Sequence, residues 1–432
     1  MYIHSDSFFP PDIDFTISKI KLKSDRTEAT VFEGLKKISS MEVAKKQVFL
    51  AEGFVEPADY TTLVITIEEA SIRRGEGRST LRLGKEDVEF ALKHMRLRRA
   101  ESTVLQIAWN PEKSIEKRIV FMPAFNVELE RPSARELLLF VSNSGANYIS
   151  VIDRSLERVI GAVTVGISPT AMAINETGDL LYVLNSASHT ISIVDTTHMR
   201  VRDTINIDVG IEPVDMAFMP SSKNSLEGKL YVTNRLYNNV IVVDTFTRRV
   251  IKSIDVGLSP SYILADPDRK EVYVTAEDTN DLTIIDTVDD SVVGTIGVDS
   301  RPTGITKYDD RLYVFCEGGG VIEIISLADR KITDEISLTE PPTRGLKAFG
   351  GRMFVVSRKE GVLTLFNSSD VITRILKLDG EPVELAVDET RNRLYITDYR
   401  DGELIFIDPI GEVIVKEITV GKEPYWVVQL DK

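Results

Sequence analysis

Apolar and polar positions recur along this chain with a period of about forty residues. The stretch Leu230–Pro260, LYVTNRLYNNVIVVDTFTRRVIKSIDVGLSP, shows the unit. Leu230–Thr233 and Val240–Val243 are short β-branched and aromatic runs, with the turn-rich Asn234–Asn239 between them. Asp244-Thr245 breaks the second run, and Val250–Val256 then alternates apolar with polar residues. After Gly257 and Pro260 a fourth run, Tyr262–Ala265, begins. The pattern predicts four strands joined by tight turns. A unit this small cannot bury both its faces alone and must stack against copies of itself.

The copies are present. Prolines at 169, 213, 260, 302, 342, 382 and 424 close equivalent turns, 44, 47, 42, 40, 40 and 42 residues apart. The strand spelled LYVTN at Leu230 recurs as LFVSN, LYVLN, VYVTA, LYVFC, MFVVS and LYITD. A strand ending in a turn-forming residue recurs as ISVID, ISIVD, VIVVD, LTIID, IEIIS, LTLFN and LIFID. Three markers at one period predict an all-β chain whose residues 137–432 form a seven-bladed β-propeller of four-stranded blades. The run Tyr425–Leu430 has no blade after it, and the first blade lacks a strand, so the C-terminal strand is expected to close the ring.

The repeat resembles the YVTN family of β-propeller repeats, whose signature Tyr231-Val232-Thr233-Asn234 spells outright. The segments at Cys316 and Ser357 depart furthest from it.

Residues 12–130 follow a different pattern. Asp14–Leu22 and Thr61–Ile72 alternate as half-buried strands do, and further strands are expected at Ser79–Leu83, Val88–His94, Val104–Trp109 and Arg118–Phe125. Glu33–Val48 fits a short helix or an irregular crossing. Short strands at this spacing predict a β-sandwich. The segment from Glu56-Pro57-Ala58-Asp59-Tyr60 is similar to one in a family of unknown function, with Asp59 and Val64 replacing its Gly and Arg. That resemblance implies an immunoglobulin- or transthyretin-like domain of prokaryotic surface lipoproteins, and residence at the cell surface, outside the cell or in the periplasm. Polar, proline-bearing Val127–Glu136 reads as the join, with 131–136 as linker.

Charge then narrows function. The net charge is −15, yet residues 1–131 carry 21 basic and 21 acidic residues, so the whole excess lies beyond them. So acidic a propeller repels nucleic acid and anionic lipid, and neither is expected as a partner. No apolar stretch is long enough to span a bilayer. The first residues lack the form of a signal peptide, so the chain is expected to be cytoplasmic or to begin after a removed signal. Three glutamines and 28% charged residues fit a thermophile.

The chemistry-bearing residues form no catalytic constellation. Cys316 is the one cysteine and reads as a small buried hydrophobe. The four histidines are scattered, and no cofactor or metal site is expected, Asp278 and Asp281 having no recognised calcium-loop spacing. Asp153, Asp195, Asp244, Asp286 and Asp408 recur with the repeat and read as turn residues. Gly166, Gly210, Gly257 and Gly421 are expected to supply positive φ before the prolines.

Function must lie where the repeats differ. Two residues past each proline the chain reads Ala171, Asp215, Tyr262, Gly304, Arg344, Glu384 and Trp426. Loops after the YVTN strand add Arg235, Tyr237, Tyr399 and Arg400 to the same face. Asp215, Tyr262, Arg344, Glu384, Trp426 and those four are the candidate binding residues, because aromatic and Arg anchors beside carboxylates make recognition surfaces. The leading expectation is a non-enzymatic binding or scaffold protein, taking a protein, small molecule or glycan on this face. The alternatives are an accessory subunit of a redox or filament assembly, and a lyase- or hydrolase-type enzyme at the channel mouth.

Overall fold

The computed structural model describes residues 1–432 apart from 6, 8, 100, 130–136, 208–211, 222–223 and 431–432. The expected linker, 131–136, and Gly210 therefore lie outside the described residues. Two compact units divide the chain: Met1–Pro132 with Val151–Val163, and Ser133–Ser150 with Thr164–Lys432.

The first unit is built on the long strand Asp59–Arg74, whose early half pairs with Asp87–Arg96 and whose late half pairs with Gly77–Leu83. Along its other side lies Ile13–Ser24, followed by Glu28–Ser39. A second sheet has the order Ala124–Leu129, Leu105–Asn110, Tyr2–His4, Val48–Phe49. Phe15, Ile17 and Ile65 from one sheet and Ile3, Ile107 and Trp109 from the other bury into one apolar cluster. Phe15 meets Trp109 edge-on at 4.9 Å. In the same unit the Gln47 side chain donates to the Val159 carbonyl (3.0 Å) and accepts from the Val159 amide (2.9 Å).

One sequence expectation holds in part here and one fails. Glu33–Val48 contains a short helix at Ser40–Val43, but the residues before it belong to the strand Glu28–Ser39. Its pairing with Ile13–Ser24 slips twice in register, which scrambles the period-two signal. Arg118–Phe125 is not one strand but two, Val120–Phe121 and Ala124–Leu129, paired in different sheets.

The second unit repeats one four-stranded antiparallel sheet. Pro213–Ser221, Asn224–Asn234, Asn239–Asp244 and Arg249–Asp255 lie in that order, innermost to outermost. Sheets of the same order start at Pro169, Pro260, Pro302, Arg344 and Pro382. The remaining sheet takes Leu138–Asn143 and pairs it antiparallel with Pro424–Leu430, Leu138 opposite Leu430 and Val141 opposite Val427. Each innermost strand lies beside the next, and Pro424–Leu430 lies beside both Pro382–Asp388 and Pro169–Ile174.

Packing explains why these strands read as nearly continuous apolar runs. Ile191, Ile193 and Leu184 of one sheet pack with Met216, Val232 and Ile241 of the next. Ala217, Tyr231 and Val240, on the other face of that second sheet, pack with Ile263 and Val274 of a third. A strand covered on both faces needs apolar side chains on both.

The turns hold one agreement and one correction. Asp153, Asp195, Asp244, Asp286 and Asp408 each accept a backbone N–H two or three residues on, as turn residues should. Gly166, Gly257 and Gly421, however, do not carry positive φ. That conformation falls on the residue preceding proline: Ser168 (φ 54°), Glu212 (63°), Ser259 (57°), Arg301 (53°) and Glu423 (52°). Gly166, Gly257 and Gly421 are required for space instead. A Cβ on Gly257 would stand 2.3 Å from Thr279 Oγ1, and one on Gly421 2.4 Å from Asn143 Cγ.

Candidate functional site

The innermost strands carry the candidate residues two positions past the proline, where the register against the YVTN strand slips. The slip lies between Pro213 and Met216, between Pro260 and Tyr262, and between Pro382 and Leu385. A backbone N–H freed from the ladder there needs another acceptor. The fourth residue of the YVTN strand supplies it. Thr233 Oγ1 accepts from Asp215 N (3.0 Å), Thr275 Oγ1 from Tyr262 N (3.2 Å), Thr397 Oγ1 from Glu384 N (3.1 Å) and Ser142 Oγ from Trp426 N (3.0 Å). These four hydroxyl residues were not among the sequence candidates. Their signal was available: Leu184, Phe315 and Val356 hold the same place in the other repeats, opposite Ala171, Gly304 and Arg344.

Five ring side chains are brought together. Arg344 Cζ lies 4.3 Å from the Tyr262 ring centroid, and Tyr262 stacks with Trp426 at 5.9 Å and 25°. Gly304 lets the arginine approach; a Cβ there would be 3.2 Å from Arg344 Cδ and 3.0 Å from the Thr343 carbonyl. Glu384 Oε2 lies 3.6 Å from Arg344 Nε, too far for a hydrogen bond. Neither atom has a hydrogen-bond partner among the described residues, although both are buried. Glu384 Oε1 accepts from Leu385 N (3.1 Å). Asp215, 1% exposed, accepts from Met216 N at 2.7 Å and from Ile263 N at 2.9 Å.

Burial dominates the electrostatics. It pushes the Asp215 carboxyl up to about 7, against the pull of Arg344 and two backbone N–H groups and with a push from Glu384. Glu384 is likewise pushed to about 7 by burial, opposed by Arg344 and the Leu385 amide. The Tyr262 hydroxyl is held well above its ordinary value by burial, then by the Glu384 and Asp215 charges. Burial works against the Arg344 charge, but Glu384, Tyr262, Tyr425 and Asp215 together keep its pKa raised. One guanidinium thus faces two carboxyls that each hold a proton part of the time near neutrality.

The remaining candidates belong to a layer of ion pairs. Arg235 Nη2 pairs with Glu277 Oε2 at 2.7 Å. Arg301 bridges Glu277 (3.8 Å) and Glu317 (3.2 Å), and Lys359 pairs with Glu317 at 2.9 Å. Arg358 lies 5.0 Å over the Tyr399 ring and pairs with Glu381 at 2.6 Å, while Tyr399 meets Tyr425 edge-on at 6.5 Å. Arg400 donates to the Asp379 carbonyl and lies 3.7 Å from Asp401. Tyr237 is exposed. Asp278 accepts from the Ser259 hydroxyl and Asp281 from the Thr283 hydroxyl. Cys316 is fully buried, which raises its thiol pKa.

No family model and no curated protein matches this chain. Solved structures do. A functionally unknown protein from Desulfotomaculum acetoxidans matches 68% of this chain and 98% of its own at 14% identity, with a TM-score of 0.59. Virginiamycin B lyase from Staphylococcus aureus matches 62% of this chain and 90% of its own at 16% identity and a TM-score of 0.53. Kuenenia stuttgartiensis hydrazine synthase matches 59% of this chain and 87% of its own at 19% identity and a TM-score of 0.52. At these identities the likeness is one of fold, and with the repeated four-stranded sheets it makes this an all-β chain of β-propeller type.

Proposed function

We propose that this is a non-enzymatic binding protein of the cell exterior. Its seven repeated sheets are read as the blades of a YVTN-type propeller closed by Pro424–Leu430, and residues 12–130 as an immunoglobulin- or transthyretin-like sandwich that spaces or attaches it. The observation that carries the reading is the convergence of Trp426, Tyr262 and Arg344 on two buried carboxyls, at the ring positions where the repeats differ most. Aromatic and Arg anchors backed by buried charge are what binding energy concentrates on. The test is surface plasmon resonance of the full chain against a cell-envelope extract of its own organism. Truncation of Trp426 or Arg344 should abolish the signal, and unchanged signals from folded variants would refute the reading.

A second reading is an enzyme of lyase or hydrolase type. Asp215 and Glu384, both pushed to about 7, favour it, since buried carboxyls near neutrality serve as general acids and bases. A turnover with a bell-shaped pH profile that Glu384→Gln removes would establish it.

A further inference from the structure

The repeated sheets differ at their outer edges. Six of the outermost strands are Arg200–Asn206, Arg249–Asp255, Ser291–Gly297, Lys331–Ser337, Ile372–Lys377 and Val413–Thr419. Each slips in register against the strand beside it, and the residue just past the slip pairs with the fourth position of that strand. In five strands this residue is charged: Asp203, Lys252, Asp334, Arg374 and Lys416. In Ser291–Gly297 it is Gly294. A charge here guards an edge, because a second strand laid alongside would strip it of water.

The outermost strand of the remaining sheet, Arg158–Thr164, also has glycine at its fourth position, Gly161. That edge is covered. Val159, Ile160 and Val163 are buried, and the Gln47 and Gln106 side chains take the Val159 amide and carbonyl. The covered strand thus lacks the guarding charge that five uncovered strands carry. Ser291–Gly297 lacks it too, yet its Val292 and Val293 are each 41% exposed.

Glycine serves nothing there within the chain. Neither Gly294 nor Gly297 has positive φ, a Cβ on Gly297 would meet nothing within 4 Å, and one on Gly294 nothing nearer than 3.5 Å. A strand glycine without such a reason marks the close approach of another backbone. The groups to receive one are in place. Val298 N donates to the Asn280 carbonyl at 2.9 Å, in line with the pairs Ile296–Leu282 and Gly294–Ile284. An antiparallel ladder alternates, so Thr295 and Gly297 turn their N–H and C=O groups outward. The Val293 carbonyl is taken by Arg330 (3.3 Å), which ends the free edge on that side.

We infer that Ser291–Gly297 is an interface between two copies of this chain. They join antiparallel about a two-fold axis at Ile296, and Thr295 of each copy exchanges N–H···O bonds with Gly297 of the other. A second copy fits because the edge is its own complement. The strand holds no charge, so none is desolvated in the joint ladder, and an isologous pair leaves neither edge free. The contact is small and each chain carries a net charge of −15, so the dimer is weak and needs salt to screen it.

The experiment is sedimentation velocity on the full chain at physiological salt, from micromolar to millimolar concentration, with hydrogen exchange read at Thr295 and Gly297. The parent should pass from monomer to dimer, and both amides should slow as it does. Gly297→Lys adds a side chain whose Cβ touches nothing in the folded chain, and Gly294→Asp restores the charge that Asp203 and Asp334 supply elsewhere. Each should weaken the dimer by roughly tenfold or more, from the desolvation of a charge, with the parent's melting transition retained. Asp334→Lys, on a guarded edge, should leave the dimer as it is. A monomer at every concentration overturns the assignment, and if Gly297→Lys then lowers binding to the envelope extract, the edge serves a foreign strand instead. A dimer that survives both glycine variants, weakens as much with Asp334→Lys, or leaves the two amides in fast exchange is joined elsewhere and overturns it equally.

Discussion

The hydroxyl of Thr233 accepts the backbone N–H of Asp215 at 3.0 Å, and both residues are buried. The pair repeats as Thr275 with Tyr262, Thr397 with Glu384 and Ser142 with Trp426, so each side chain it fixes is a ring residue of chemical consequence. Thr233→Val and Thr397→Val keep the strand shape but strand a buried donor. Each should cost about 1–3 kcal/mol of stability and lower affinity at the ring. Thr→Ser at the same sites should restore both. Thermal melts with binding measured alongside check this; valine variants as stable as the parent would show that the hydroxyls do not hold the ring.

A second prediction concerns the turn before the proline. Gly257→Ala places a methyl 2.3 Å from Thr279 Oγ1 and 2.6 Å from Ala276 Cβ, and should destabilise by about 1–3 kcal/mol. Ser259→Gly relieves a left-handed non-glycine residue at φ 57°, where an L side chain costs about 1–2 kcal/mol. Its melting temperature should hold or rise. The reverse order of effects would return the conformational burden to the glycine.

These turns show how far the sequence carried. The repeat, its strands and the turn-forming aspartates were legible because period and burial demand them together. Counting two residues past each proline also found Asp215, Tyr262, Arg344, Glu384 and Trp426, because equivalent strands place equivalent positions around one axis. What stayed hidden was local. A threonine in a strand reads as β propensity, so Thr233 and Thr397 stood out only by contrast with Leu184, Phe315 and Val356 at the same place in other repeats. Gly257 reads as a positive-φ glycine until the neighbouring Thr279 and Ala276 are seen. Glu28–Ser39, with Gly34 at φ 149° and two register slips, offers no regular period to read.

Removal of 424–432 gives a third prediction. Pro424–Leu430 pairs along Leu138–Asn143 and packs beside the innermost strands on both sides. Its loss opens an edge there and strips buried Leu138–Val141 of the ladder on that side. Cooperative unfolding of residues 137–432 should disappear in calorimetry. A truncated chain with the parent's transition would mean that the strand is an accessory.

Asp215 and Glu384 set a pH dependence of definite sign. Both folded values, about 7, lie above the unfolded carboxyl values near 4. Between these limits the folded state holds more protons, so stability falls as pH rises and the penalty is complete above 7. Glu384→Gln removes one titrating group and should flatten the fall by an amount on the order of 3–4 kcal/mol. Carboxyls lowered by partners, such as Asp195 beside His198, work in the opposite direction at lower pH. Urea unfolding at intervals from pH 4 to pH 8 separates the two. A parent and variant with parallel curves would mean that Glu384 titrates in the folded chain as it does in the unfolded one.

The last prediction assigns the recognition face. Thr196 and Thr245 occupy the turns on the opposite side but are buried, Thr196 donating to the Gly178 carbonyl at 2.6 Å and Thr245 bonding Gly228 through both donor and acceptor. Substituting them would disturb folding as well as any surface. Solvated positions in turns of this kind are Phe246, after Thr245, and Val288, after Thr287, 70% and 71% exposed. Repeated turns were expected to present structure, yet these tips, with Ile410, offer exposed apolar groups of their own. The comparison is therefore a direct contest between two faces. Trp426→Ala and Arg344→Ala should each weaken binding roughly thirtyfold, the ~2 kcal/mol typical of a true anchor. Phe246→Ser and Val288→Ser should leave it within about twofold, because their side chains touch solvent in the folded chain. Should the serine variants lose binding while the ring variants keep it, the partner sits on the turn face, and Asp215, Arg344 and Glu384 are a buried structural network.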